Sequence, residues 1–107
     1  IQETARFLKE AQLTPRVMVD CSHGNSMKDY KLQRAVVHAL IDQLKKGSHL
    51  INGVMLESNL VAGKQELQTK EALVYGQSIT DGCIGWEDTL ELLEELAMAV
   101  KARKQSS

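Results

Sequence analysis

Three side chains that commonly bind metal ions, His23, Glu57 and Asp81, each follow a short apolar run. An imidazole together with two carboxylates suits Mn²⁺, Fe²⁺, Co²⁺ or Zn²⁺, and three ligands leave coordination positions for water or substrate. The same residue types often have plainer roles, because a carboxylate after a strand frequently caps a helix and a single loop histidine is usually solvated. Spacing alone therefore makes a metal site one candidate among several.

The apolar runs that precede these side chains predict three strands, at residues 17–19, 50–56 and 78–80. Continuous apolar runs without alternation are typical of strands that are covered on both faces, as in a parallel sheet. His23 and Glu57 are 34 positions apart, which is close to the roughly 30 residues of one βαβ step. Because the carboxyl ends of parallel strands meet at one rim, we expect the three side chains to converge there.

Helical periodicity predicts helices over residues 1–12, 29–46 and 87–103. Gly47 is expected in the left-handed conformation just after the second helix, and residues 58–75 show no sustained period. The residues expected to face the core are Leu32, Ala35, Val36, Ala39, Leu40 and Leu44 in the second helix and Leu90, Leu93, Ala97 and Val100 in the third. Strands that alternate with helices predict the α/β class.

The 107 residues suffice for one modest domain, and 43% of them are apolar. A formal net charge of −1 provides no bulk attraction to nucleic acid or to an anionic membrane. No apolar run approaches the roughly 20 residues of a membrane span, and the charged, amphipathic start is unlike a secretory signal. Cys21 and Cys83 are expected to be free thiols, and the protein is expected to be cytoplasmic. Because the chain begins at Ile1, we expect a piece of a longer protein.

Other residues that could carry chemistry have simpler interpretations. His38 lies on the second predicted helix and His49 follows its end, where both are expected to be structural or solvated. Gly82 and Gly85 lack the spacing of a nucleotide-binding fingerprint, and Trp86 is expected to pack at a helix entry. The cysteines are interpreted as small buried apolar residues rather than nucleophiles.

Three segments resemble, in the same order, the type I 3-deoxy-D-arabino-heptulosonate-7-phosphate (DAHP) synthases. They are residues 19–26 (VDCSHGNS), residues 53–60 (GVMLESNL), and residues 75–81 (YGQSITD) leading into 85–89 (GWEDT). The resemblance extends over nearly the whole chain. It implies that residues 1–107 are a partial domain, the C-terminal part of a (β/α)8 TIM barrel with about three βα units and parallel strands.

The resemblance also implies an activity and a metal site. Such synthases condense phosphoenolpyruvate, D-erythrose 4-phosphate and water to DAHP and phosphate, the first step of the shikimate pathway to the aromatic amino acids. Their divalent metal ion (Mn, Fe, Co or Zn) is held by a Cys, a His, a Glu and an Asp, and the last three match His23, Glu57 and Asp81. The Cys belongs to an early strand that has no counterpart here, and Cys21 is not assigned that role.

In such a site the metal would act as a Lewis acid toward the aldehyde of erythrose 4-phosphate. His23 and Asp81 are the expected catalytic residues. His23 would bind the metal as a neutral imidazole, and its other ring nitrogen could form a hydrogen bond with Asp20. Asp81 would also bind the metal, and we hypothesise that it accepts a proton from water. Since the phosphate-binding Arg and Lys residues of the family lie on earlier strands, we expect the isolated chain to be inactive. Its uncovered strand edges predict a homo-oligomer.

The sequence is also compatible with two alternative functions. One is another phosphoenolpyruvate-using aldol-type barrel, such as a sugar-acid synthase, which residues 86–89 disfavour. The other is a non-enzymatic interaction module, which would have no need to bind Mn²⁺ through His23.

Overall fold

Two neighbouring parallel strands form the only sheet in the residues that the computed structural model describes, which are 1–106, with side chains through 105. Strand β1 is Val17–Asp20 and strand β2 is Ile51–Met55. Asp20 pairs with Met55 at the carboxyl end, and the register is irregular only between Val17 and Met18. Both strands therefore end at the same rim, as the apolar runs predicted. Strand β1 is one residue longer than the predicted strand at 17–19, and β2 is one residue shorter at each end than the predicted strand at 50–56.

Three helices accompany the sheet: α1 (Gln2–Glu10), α2 (Gln33–Lys45) and α3 (Trp86–Ser106). Short 3-10 turns at His23–Ser26, Tyr30–Leu32 and Lys70–Ala72 interrupt the loops. Helix α2 connects β1 to β2 and packs against α3. The result is a mixed α/β arrangement, in agreement with the predicted class.

The end of α2 confirms the conformation expected of Gly47. Its φ is +93°, its N–H bonds the Leu44 carbonyl at 3.0 Å, and the Ser48 N–H bonds the Gln43 carbonyl at 3.1 Å. This pair of hydrogen bonds is the Schellman arrangement, which satisfies the last helical carbonyls and requires a left-handed residue.

The buried faces of the helices match the predicted stripes only in part. Leu40 and Leu44 are buried as expected, and Val36 and Val100 pack against the core. On α2, Ala35 and Ala39 are exposed whereas Val37 and Ile41 are buried, because the larger aliphatic side chains bury more apolar surface than alanine. On α3, Leu90 and Leu93 are 44% and 48% exposed and Ala97 is exposed. The residues buried there instead are Thr89, Leu92, Leu96 and Ala99. Leucines occur on two sides of α3, so periodicity could not select the side that α2 covers.

The predicted third strand at residues 78–80 is wrong for this chain. Ser78 makes one isolated parallel bridge with Lys64, and residues 79–80 are bends. The loop that precedes residue 78 folds back on itself instead, because the side-chain amide of Gln65 donates hydrogen bonds to the carbonyls of Val74 (2.8 Å) and Gln77 (2.9 Å). A three-residue run without a continuous neighbouring strand cannot form a ladder. Two further isolated bridges join Ser58 to Ile84 (parallel) and Gly63 to Cys83 (antiparallel).

The hydrophobic core lies between α2, α3 and the sheet. Its buried members are Cys21, Val37, Leu40, Ile41, Leu44, Ile51, Ile84, Leu92, Leu96 and Ala99. Within residues 1–106, no helix combines the length and apolar character that crossing a membrane requires.

Candidate metal centre

The rim at the carboxyl ends of β1 and β2 brings His23, Glu57 and Asp81 together. His23 begins the 3-10 turn after β1, Glu57 follows β2, and Asp81 lies in the loop before α3. His23 Nε2 is 3.7 Å from Glu57 Oε1 and 3.5 Å from Asp81 Oδ2. One ligand atom from each residue lies within 4.8 Å of the other two. Residues 58 positions apart in sequence thus share one small volume.

These separations fit a shared cation. Ligand atoms about 2.0–2.2 Å from one ion lie roughly 3–4 Å from each other. The two distances from His23 Nε2 are in that range, and a carboxylate at the 4.8 Å limit needs only a small side-chain rotation. One nitrogen and two carboxylate oxygens form a mixed donor set that first-row divalent metals accept.

Asp20 fixes the orientation of the His23 ring. Its Oδ2 lies 2.9 Å from His23 Nδ1, so Nδ1 carries the proton and Nε2 is directed to the two carboxylates. The hydrogen bond with Asp20, followed by the charge of Glu57, raises the pKa of His23. The pKa of Asp20 is lowered, first by the Ser22 N–H that it accepts at 2.8 Å and then by His23. The His23 Nε2 therefore faces a site that favours positive charge, either a proton or a metal ion.

Glu57 is held by two residues that the sequence patterns did not single out. The Ser22 hydroxyl donates to Glu57 Oε1. The Gln33 side chain binds the backbone of Glu57 in both directions: its Nε2 donates to the Glu57 carbonyl at 3.1 Å, and its Oε1 accepts from the Glu57 N–H at 2.9 Å. Gln33 is completely buried. Gln33 lies on the same face of α2 as the buried residues Val37 and Leu40. A polar residue at such a helical position is the signal that could have identified it.

A cleft of about 540 Å³ opens above the three candidate ligands. Its lining residues are Ser22, His23, Lys28, Asp29, Tyr30, Glu57, Lys64, Asp81 and Gly82. The Tyr30 ring lies directly against Gly82, where a Cβ would come within 2.7 Å of Tyr30 Cδ1. Tyr30 therefore packs beside the backbone that carries Asp81. The sequence patterns had identified neither Tyr30 nor the two lysines as part of a site.

The weaker candidates lie away from this cleft. His38 Nε2 is 2.8 Å from Glu95 Oε2, between α2 and α3, and His49 is exposed, as expected of structural and solvated histidines. Cys21 and Cys83 are buried free thiols, as predicted. Burial raises the pKa of Cys21 to about 11, so its thiolate is scarce near neutral pH. Trp86 begins α3 but is 48% exposed, so it packs only in part.

Comparison with known proteins identifies relatives along the whole chain. Residues 1–94 match the family model described as the DAHP synthetase I family. A Phe-sensitive phospho-2-dehydro-3-deoxyheptonate aldolase of Escherichia coli is 50% identical over 97% of this chain and 30% of its own length. A phenylalanine-inhibited aldolase of the same name from Saccharomyces cerevisiae is 45% identical over 99% of this chain and 30% of its length.

A solved structure agrees with these matches. The phospho-2-dehydro-3-deoxyheptonate aldolase of Francisella tularensis superposes with a TM-score of 0.89 at 48% identity, over 96% of this chain and 30% of that one. The chain thus spans about 30% of the length of the relatives it matches. With a family model covering most of its residues and close relatives covering nearly all of them, the chain belongs to the DAHP synthetase I family.

Proposed function

We propose that this chain is the C-terminal part of a DAHP synthase and supplies His23, Glu57 and Asp81 to its divalent-metal site. The whole protein would condense phosphoenolpyruvate, D-erythrose 4-phosphate and water to DAHP and phosphate, at the start of the shikimate pathway. The observation that carries the proposal is the convergence of three ligand atoms within 4.8 Å at one rim. Family membership supports the reaction, and the donor set supports the metal.

Each side chain of the cluster has a distinct role in this proposal. His23 binds the metal through Nε2, because the hydrogen bond from Nδ1 to Asp20 fixes the tautomer and the ring plane. Glu57 is the most restrained of the three, since Ser22 and Gln33 hold both its carboxylate and its backbone. When bound, the metal supplies Lewis-acid polarisation of the substrate aldehyde.

Asp81 has more freedom than the other two candidate ligands. Its side chain is 63% exposed, against 19% for Glu57. A solvent-accessible carboxylate at the cleft can bind a cation with one oxygen and accept a proton from a water molecule with the other. We therefore propose that Asp81 binds the metal and acts as a general base. We propose that His23 binds the metal and orients the reacting centre.

The wider architecture that we propose is a (β/α)8 barrel, of which residues 1–107 form a partial domain. The parallel pairing of β1 and β2 and the connection between them through α2 support this assignment, as does the match to 30% of a longer solved structure. The remaining strands would supply a Cys ligand and the main phosphate-binding cations. Open strand edges and exposed apolar side chains such as Met18, which is 67% exposed, favour homo-oligomerisation of the chain on its own.

Metal binding by the 107-residue chain tests the ligand assignment directly. Electron paramagnetic resonance of free Mn²⁺ during titration gives the dissociation constant. We expect His23→Ala, Glu57→Gln and Asp81→Asn each to weaken binding by about tenfold or more. Glu66→Gln is the matched control, because it removes one exposed carboxylate outside the cleft. Equal affinities for all four variants and the parent chain would refute the metal site.

Synthase activity tests the assignment of roles between this chain and the rest of the enzyme. We expect the purified chain to form no DAHP from the two substrates with Mn²⁺ present, since both are anionic and most of the required cations are absent. DAHP production above the protein-free rate, removed by His23→Ala, would show that these residues form a sufficient active site.

A further inference from the structure

We infer that Lys28 and Lys64 form a phosphate-binding pair at the mouth of the metal cleft. The ligand would be the phosphate monoester of a phosphorylated sugar or sugar acid. The inference rests on the proposed function and adds to it two cations from the C-terminal part of the chain, which sequence motifs did not identify. Both lysines line the 540 Å³ cleft together with His23, Glu57 and Asp81.

The backbone around Lys28 adopts a conformation that side-chain-bearing residues usually avoid. Met27 and Lys28 both have positive φ, +53° and +61°. The Met27 N–H bonds the Gly24 carbonyl at 3.2 Å, and the Lys28 N–H bonds the His23 carbonyl at 2.7 Å. This is a Schellman-type end to the turn that carries His23, but with Met27 where glycine is favoured. Non-glycine residues held in this region concentrate at functional sites, and here the reversal brings Lys28 to the cleft.

Lys64 reaches the same cleft from a different element. It follows Gly63, whose φ is +95°, and Gly63 exchanges two backbone hydrogen bonds with Cys83, at 2.8 and 3.2 Å. Lys64 itself bridges to Ser78. The loop that carries Lys64 is therefore attached through its backbone to the segments on both sides of Asp81, which holds the backbone of Lys64 beside the candidate metal ligands.

Neither ammonium group is neutralised within residues 1–106, where Lys28 and Lys64 form no ion pair. Three carboxylates also line the cleft. Glu57 and Asp81 face the metal position, and Asp29 accepts the Lys31 N–H at 3.0 Å as the cap of a turn. With a divalent ion bound, the first two carboxylates are compensated and the lysines remain as available positive charge.

A phosphate monoester matches this arrangement. Lysine binds phosphate as a point charge through charge-assisted hydrogen bonds, and an adjacent divalent cation adds to the attraction. The names of the relatives specify a phosphorylated sugar acid. Two cations on separate elements beside the metal position would hold the phosphate end of such a molecule while its reacting end reaches the metal.

Titration of the ¹⁵N-labelled chain with inorganic phosphate in the presence of Mg²⁺, followed by amide chemical shifts, tests the pair. Mg²⁺ is included because a bound divalent ion compensates the charges of Glu57 and Asp81, which also line the cleft. We expect saturable shifts centred on Lys28, Lys64 and Gly82. The double variant Lys28→Gln/Lys64→Gln should weaken phosphate binding by about tenfold or more. Lys45→Gln/Lys46→Gln is the matched control, since it removes two exposed lysines from the end of α2 outside this cleft and should leave the affinity unchanged.

A second variant separates binding from folding. Lys28→Gly relieves the left-handed backbone, so the melting temperature should hold or rise while phosphate affinity falls. Equal weakening in the two double variants, or the absence of saturable shifts in the parent chain, would overturn the inference. The Mn²⁺ titration of the double variant reports on the proposed function separately. Loss of phosphate binding with unchanged Mn²⁺ affinity supports the pair, whereas a chain that binds phosphate but no Mn²⁺ retains the pair and refutes the metal site.

Discussion

Replacing Gln33 by leucine should reveal how strongly the candidate metal site depends on the buried side-chain amide of this residue. Gln33 is 0% exposed and makes hydrogen bonds of 2.9 and 3.1 Å to the N–H and carbonyl of Glu57. Leucine preserves most of the volume but leaves both backbone groups without these partners. An unsatisfied buried donor or acceptor costs about 1–3 kcal/mol. Glu57 retains some solvent access, so we expect the lower part of the summed range, about 2–4 kcal/mol of unfolding free energy.

Urea unfolding followed by circular dichroism measures this loss, and Gln43→Leu is the matched control. Gln43 lies on the same helix, only partly buried, and its side chain has no hydrogen bond among the described residues. Its replacement should change stability by less than about 0.5 kcal/mol. Gln33→Leu should also weaken Mn²⁺ binding in protein that is still folded, because Glu57 loses its backbone anchor. Stability changes within error of the control, together with unchanged Mn²⁺ affinity, would refute the positioning role of Gln33.

Three further results follow from the same structure. Cys21, whose pKa burial raises to about 11, should react with a maleimide far more slowly than a free thiol at about pH 8. Gly76→Ala should lower the unfolding free energy by roughly 2–4 kcal/mol, because φ is +79° and the new Cβ would lie 2.7 Å from Leu60 Cβ. Asp20→Asn should lower the pKa of His23, measured by NMR titration of metal-free protein, since the hydrogen bond with Asp20 is the largest cause of its elevation. Because the pKa of His23 is raised in the folded protein, its protonation contributes stability that is fully present below the ordinary pKa of 6.5 and is lost as the pH rises through the pKa of the folded protein. Asp20→Asn should therefore narrow the pH range above 6.5 over which this stability is lost.

Each of these results has an internal control. Cys21 should react at the rate of a free thiol in urea, and rapid labelling of the native chain would contradict its burial. Gly24→Ala is the comparison for Gly76→Ala, because a Cβ at Gly24 meets no atom within 4 Å; equal losses would contradict the steric argument. Asp29→Asn should leave the His23 titration unchanged, and a shift as large as that from Asp20→Asn would assign the effect to general charge in the cleft.

The sequence by itself was sufficient for the three helices, for strands β1 and β2, and for the order of these five elements. Apolar runs ending in polar residues predicted β1 and β2, and periodicity predicted the three helices to within a few residues. Gly47 was identified correctly as a left-handed helix end. These features depend on neighbours in sequence, through backbone conformation, helix capping and the 3.6-residue period. The motifs around His23, Glu57 and Asp81 were also sufficient to identify the family.

Features that depend on contacts between distant segments required the tertiary structure. Periodicity placed Leu90 and Leu93 in the core, but the packing of α2 against the other side of α3 leaves them exposed. Residues 78–80 failed to form a strand because pairing needs a neighbour, which no local propensity supplies.

The residues that hold the candidate ligands in place also escaped prediction, because they contact these ligands across long separations in sequence. Gln33 and Glu57 are 24 residues apart, yet the amide of one holds the backbone of the other. The left-handed turn that brings Lys28 to the cleft departs from the usual preference for glycine, so no sequence rule signalled it. Residue types and spacing determined which side chains could bind a metal. The packing of helices and loops, which brings distant residues into contact and buries their polar groups, decided what holds those side chains in place.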